Sequence, residues 1–285
     1  MKEAVNLDDA YLIYEERYNL TKLAEESGLD MEKFQAFSSK EKFFTLAYKL
    51  KDTEHFHLAS FFFNKLFEIL QSMEALLNKI DCLIILGEFE EAFRFNCLGF
   101  ELFLELSEET PLIDDIEKTL SYQKAIILFS SSRYMECISI CEDNIIKFGQ
   151  KTFFPLLCAS LIGNKKFENA VKLFKRFQND KPYTFLAEVT ILLLSINQAS
   201  LCIDFLSVIS GKNIQKDTEL SLINLYKTSK SKLALENFLK SEMENFNIAD
   251  MQVFPDNRNS FKQTIINESV VTVQKIVNSS NIQIM

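Results

Sequence analysis

The sequence predicts an all-α protein, an α-solenoid of about six helical hairpins with extra helices at both ends. Three observations carry this. Of 285 residues only six are glycine and four are proline, too few turn-formers for a chain of many short strands. Hydrophobic residues make up 47% and charged residues 25%, the balance of a folded chain rather than a disordered one. And a small residue recurs at Ala59, Ala92, Cys137, Ala170, Cys202 and Ala234, at spacings of 33, 45, 33, 32 and 32. A near-constant period in the low thirties marks a repeat architecture, whose core grows by stacking.

The stretch Lys151–Tyr183 shows one repeat most clearly. Phe154, Leu157, Cys158 and Leu161 share a face of a first helix, Asn164-Lys165 breaks it, and Phe167, Ala170, Phe174 and Phe177 share a face of a second. Pro182 closes the unit. In the first repeat, Phe43, Leu46, Ala47 and Leu50 match the first-helix face one for one. Four residues after each small residue come Phe63, Asn96, Cys141, Phe174, Leu206 and Phe238, and three before it come Phe56, Phe89, Tyr134, Phe167, Ala199 and Ser231. The small residue sits where the two helices of a hairpin cross, because a large side chain there would force the backbones apart.

On these residues the chain resembles the tetratricopeptide-repeat (TPR)-like helical-repeat superfamily over roughly residues 39–246. It departs from the family pattern in lacking the large-aromatic-plus-glycine pairing, and one unit alone has the closing proline. The resemblance implies a right-handed solenoid whose first helices line a concave groove for a peptide or helix. The family's groove positions map to Phe44, Tyr48, Leu77, Asp81, Tyr122, Ile126, Ala159, Ala187, Ile191, Glu219 and Ile223. A Lys/Asn/Arg clamp for a peptide carboxylate is not expected, since its positions hold Phe44, Leu77, Tyr122, Pro155 and Ala187.

Three regions flank or interrupt the array. Residues 1–38 read as a helical cap: roughly Asp8–Tyr18, Leu20–Ser27, a break at Gly28, and a helix capped by Asp30 running to Phe37. The run from Leu20 to Phe37 also has a helix-turn-helix outline, but Asp30 and Glu32 sit badly beside phosphates. Ser39 is the expected cap of the first hairpin. The 45-residue interval contains a long second helix, Glu88–Leu106, and an acidic insertion, Ser107–Lys118, that leads into a helix N-terminus. Beyond Phe246, residues 247–285 read as a loop and then an amphipathic helix, Phe261–Asn278. That helix is rich in β-branched residues and is expected to dock on the last repeat or on a partner.

Chemistry and charge narrow the function. Net charge is −9, with −13 on residues 1–122 and +4 on 123–285, so nucleic acid is a poor default partner. His55 and His57, the only histidines, lie two apart on a helix and cannot chelate one metal together. Cys82, Cys97, Cys137, Cys141, Cys158 and Cys202 form no CxxC pair, and Cys137, Cys158 and Cys202 occupy small-residue positions of the repeat, Cys158 matching Ala47 on the first helix. No glycine-rich phosphate loop occurs. No catalytic, cofactor or metal site is therefore expected. The start MKEAVNLDDA has no apolar core of a signal peptide, and the densest apolar run, Ala187–Ile196, is too short to cross a bilayer. These features point to a reduced, cytoplasmic setting without membrane insertion.

The function expected first is a non-enzymatic interaction scaffold or adaptor, a subunit of a larger complex that binds a helix or hydrophobic peptide in its groove. A second reading is a peptide-responsive transcriptional regulator using residues 20–37 on DNA. A third is a pentatricopeptide-like RNA binder, which the apolar groove and acidic N-terminal half disfavour.

Overall fold

The structure, a computed structural model, describes residues 7–106, 113–148, 152–176, 182–211, 214, 216–229 and 231–243. The first half of the acidic insertion and the helix expected over Phe261–Asn278 lie outside these residues. Among the described residues the fold is all-helical, with no strand. Three short helices come first: α1 (Leu7–Tyr18), α2 (Leu20–Glu26) and α3 (Met31–Ala36). Helix pairs follow: α4 (Ser39–Asp52) with α5 (Phe56–Leu70), α6 (Met73–Leu86) with α7 (Phe89–Leu104), and α8 (Ile113–Ser130) with α9 (Tyr134–Phe148). Then come α10 (Phe153–Gly163) with α11 (Phe167–Lys175), α12 (Pro182–Ser195) with α13 (Ala199–Ser210), and α14 (Lys216–Ser229) with α15 (Lys232–Met243). The chain divides into two compact units, Met1–Leu156 and Leu157–Met285, whose boundary falls inside α10.

In the first unit, α1 to α3 share one core with the hairpins after them. Leu20, Ala24 and Phe34 are buried in the same cluster as Phe43, Leu46, Phe62, Phe63 and Leu76. Tyr11 and Tyr14 set their ring edges against Phe43, with centroids 5.5 and 6.0 Å away. Asp30 caps α3 as expected. The cap of α4 is Ser38 and not Ser39: Ser38 accepts from the Glu41 amide while the Glu41 carboxylate takes the Ser38 amide at 2.8 Å. This reciprocal S-x-x-E arrangement satisfies two orphan amides, which Ser39 with Lys42 has no means to do.

A single turn recurs between the helices of five pairs. Glu54, Gly87, Ser132, Lys165 and Asn197 all take positive φ, from 57° to 78°. The next residue in each case sends its amide back to a leucine carbonyl: His55 to Leu50, Glu88 to Leu83, Arg133 to Leu128, Lys166 to Leu161 and Gln198 to Leu193, all at 2.8–2.9 Å. This is a Schellman-type closure, with the left-handed residue ending one helix. Five residues further on lie Ala59, Ala92, Cys137, Ala170 and Cys202, each at most 1% exposed. Gly87 alone of the five turn residues is a glycine, and a Cβ there would meet nothing within 4 Å. Gly87→Ala is thus expected to cost about 1 kcal/mol through the backbone alone, and Lys165→Gly to gain up to about 1 kcal/mol, read by urea unfolding.

Within the first unit consecutive helices from α4 to α9 pack mainly on their neighbours, and α6 also contacts α8. Helices α7 and α8 approach closely: a Cβ on Gly99 would lie 2.6 Å from Leu120 Cδ2. Asn96, fully buried at the site that Phe63 occupies in α5, donates to the Leu120 carbonyl at 2.9 Å.

The second unit departs from nearest-neighbour packing at the last of its described pairs. Helix α15 packs chiefly on α12, with less contact to α14, and Lys232 pairs with Glu188 across that contact. On α14, Leu222 is the only fully buried side chain among those described, and Leu220 stays exposed. Helix α12, by contrast, buries Phe185, Leu186, Ala187, Val189, Thr190, Leu193 and Leu194. Helix α15 thus sits against the helix of the more apolar sequence. The register shifts accordingly: Leu235 and Leu239 are buried, while Ala234 and Phe238, the positions expected from the spacing, are half-exposed. The Leu235 amide bonds to the Ser231 carbonyl just as Cys202 bonds to Gln198, so the last interval is 33 residues rather than 32.

Candidate partner-binding face

Six of the expected groove residues fall on the first helices of the first unit. Phe44 and Tyr48 lie on α4, Leu77 and Asp81 on α6, Tyr122 and Ile126 on α8. All six are partly exposed, Tyr122 most at 37%. Phe44 and Tyr48 stack at 6.3 Å, one helical turn apart. The Tyr48 ring turns its edge to buried Phe63 at 5.3 Å, and its hydroxyl donates to Glu74 Oε1 at 2.6 Å. Burial first, and the Glu74 carboxylate second, push the Tyr48 phenol up to about 12, so it stays a donor. Tyr122 sets its ring against Phe153 at 5.4 Å.

A polar chain ties these three helices together. Asn78 Nδ2 donates to the Tyr48 hydroxyl at 3.0 Å. Lys51 Nζ donates to Asn78 Oδ1 at 2.8 Å and to Asp81 Oδ2 at 2.9 Å. Gln123 Nε2 donates to Asp81 Oδ1 at 2.7 Å and to the Leu77 carbonyl at 2.9 Å. Both carboxylate oxygens of Asp81 are thereby engaged within the fold. Asp81 holds α4, α6 and α8 in register instead of presenting a free charge, and Phe44, Leu77, Tyr122 and Ile126 are the partly exposed apolar positions beside it.

Sequence reading did not single out Lys51, Glu74, Asn78 or Gln123. Their signal was present as spacing, since Phe44, Tyr48 and Lys51 stand at i, i+4, i+7 on α4, as do Glu74, Asn78 and Asp81 on α6. In the second unit Ile191, Glu219 and Ile223 are half-buried on α12 and α14, which contact each other. Ala159 and Ala187 are fully buried and face no solvent.

The cysteines are free thiols, five of them buried. Burial pushes Cys82 and Cys202 up to about 11, and Cys158 up as well, so none of these three carries thiolate character near neutrality. Cys137 and Cys141 lie 3.9 Å apart on consecutive turns of α9, and their mutual contact raises Cys141. Among the described residues no helix is long and apolar enough to cross a membrane.

Comparison with family models, curated proteins and solved structures gave no match.

Proposed function

We propose that this chain is a non-enzymatic interaction scaffold of TPR-like hairpins, a subunit of a larger complex that binds an amphipathic helix or extended hydrophobic segment on its first-helix face. The observation that carries the reading is the chain of hydrogen bonds from Glu74 through Tyr48, Asn78, Lys51 and Asp81 to Gln123. It fixes three successive first helices as one surface and leaves aromatic and aliphatic side chains between the polar groups. A rigid, pre-ordered face loses little entropy on binding, which favours peptide capture. The five identical turns support the repeat resemblance, because the same local geometry returns wherever the small residue does.

The test is affinity purification of the tagged full chain from its native cell, beside the double variant Phe44→Asp/Tyr122→Asp. The expected result is a stoichiometric protein partner retained by the parent and reduced at least about tenfold by the variant, since charges placed in an apolar interface cost several kcal/mol. Far-ultraviolet circular dichroism should be unchanged, as both side chains are partly exposed. Absence of a stoichiometric partner, or capture indifferent to the substitutions, would remove the proposal.

A further inference from the structure

The first-helix face of the first unit is unbalanced in its hydrogen bonding, because its donors are spent within the fold. The Tyr48 hydroxyl gives its hydrogen to Glu74, and Asn78 Nδ2 serves the Tyr48 hydroxyl and the Glu74 carbonyl. Gln123 Nε2 serves the Leu77 carbonyl and Asp81, and Lys51 commits two of its hydrogens to Asn78 and Asp81. Acceptors are left over. Glu74 is exposed, and its bond to Tyr48 uses one carboxylate oxygen of the two. The shortage of donors reaches inside the fold: Gln123 is 3% exposed, yet its Oε1 has no partner among the described residues.

Charge points the same way. Residues 1–156 hold 28 acidic and 16 basic side chains, net −12, against −9 for the whole chain. The first turns of α4, α6 and α8 present Glu41, Glu74 and Asp115, all exposed. Apolar positions run beside them. On α6, Glu74, Asn78, Asp81 and Ile85 stand at i, i+4, i+7 and i+11, a stripe about 16 Å long. Ile85 is 54% exposed and extends the apolar set of Phe44, Leu77, Tyr122 and Ile126.

We infer that the occupant of this face is a basic amphipathic helix of another protein, apolar along one stripe and flanked by lysine or arginine. The inference rests on the scaffold reading and names the partner's chemistry. Lysine and arginine bring donors and no acceptors, so they pair with the Glu74 carboxylate and ask for no hydrogen that the face lacks. An extended segment fits less well. Each of its amides comes with a carbonyl, and the face has little left to donate to it, whereas a helix closes its backbone bonds internally. Apolar residues at i, i+3, i+4 and i+7 of the partner then rest on Phe44, Leu77, Ile85 and Tyr122. The field of the acidic unit draws a basic helix in and turns an acidic one away.

The experiment titrates the full chain into fluorescein-labelled peptides of about 18 residues and reads anisotropy. The probes are a leucine/lysine amphipathic helix, its leucine/glutamate counterpart, and the leucine/lysine peptide with two central prolines, which break the helix. The first is expected to bind, and the other two at least about tenfold more weakly. Variants locate the site. Phe44→Asp/Tyr122→Asp adds two negative charges, so diffuse attraction tightens the leucine/lysine peptide, whereas docking on this face loosens it about tenfold. Glu74→Gln, which keeps an oxygen for Tyr48, should weaken binding about threefold, and Glu101→Gln, exposed on α7, should leave it unchanged. No binding of the leucine/lysine peptide, or binding as tight to the double variant, overturns the inference. So does preference for the glutamate or proline peptide. If the double variant also loses that preferred peptide, the face stands as a docking site with a different occupant. The scaffold reading itself stands or falls separately, on capture of a partner from the native cell.

Discussion

Phe43→Ala is expected to lower the stability of the first unit by about 3–5 kcal/mol, the usual cost of emptying a buried phenylalanine site. The side chain is 1% exposed and touches three aromatic neighbours on two other helices: Tyr11 and Tyr14 of α1 by their edges, and Phe62 of α5 at 6.1 Å. The cavity would open at the junction of the N-terminal helices with the first hairpin, where the three remaining rings cannot all collapse inward. The adjacent Phe44 is half-buried, and Phe44→Ala should cost only about 1 kcal/mol. Urea unfolding of the two variants decides the matter. Equal losses would mean that the face assignment of α4 is wrong.

Ala170→Leu is the second large effect. Ala170 is fully buried, and its carbonyl lies 3.9 Å from the Cys158 sulfur of the preceding helix. At that separation a leucine has no volume to enter, so α10 and α11 must part or the side chain must leave its rotamer. The expected loss is about 1–3 kcal/mol. Its origin can be isolated with Ala170→Leu/Cys158→Ala, which should recover about 1 kcal/mol through the space released, a coupling that independent sites do not show. Thermal unfolding followed by circular dichroism at 222 nm, a wavelength fixed by the peptide transition of helices, is the measurement. Strict additivity of the two substitutions would show that the helices do not cross at this residue.

These two positions also show what was legible from residues alone. The small residues at Ala59, Ala92, Cys137, Ala170 and Cys202 are all buried as their spacing required, because a helix crossing constrains volume locally and repeats with the chain. Ala234 had the right size and spacing but lies one residue out of register, since α15 packs chiefly on α12 and less on α14. That packing depends on a helix far back in the chain and does not appear in the local pattern. Ser38 is legible as the cap from Glu41 three residues on, a signal that Ser39 with Lys42 lacks.

The candidate face divides in the same way. Helical spacing placed Phe44, Tyr48, Leu77, Asp81, Tyr122 and Ile126 on first helices. It did not reveal that Asp81 is held by Lys51 and Gln123, partners 30 and 42 residues away.

The packing of α15 on α12 has a kinetic meaning. A stack of hairpins bound only to their neighbours can open one repeat at a time from its end. Here α15, the last of the described helices, is anchored to a helix some forty residues earlier, past two intervening helices. Closing that longer loop delays the contact during folding, and breaking it releases α12 and α15 together. Amides of Leu193 and Leu239 should therefore exchange with solvent in one cooperative opening, while those of α14, lying between them in sequence, exchange earlier.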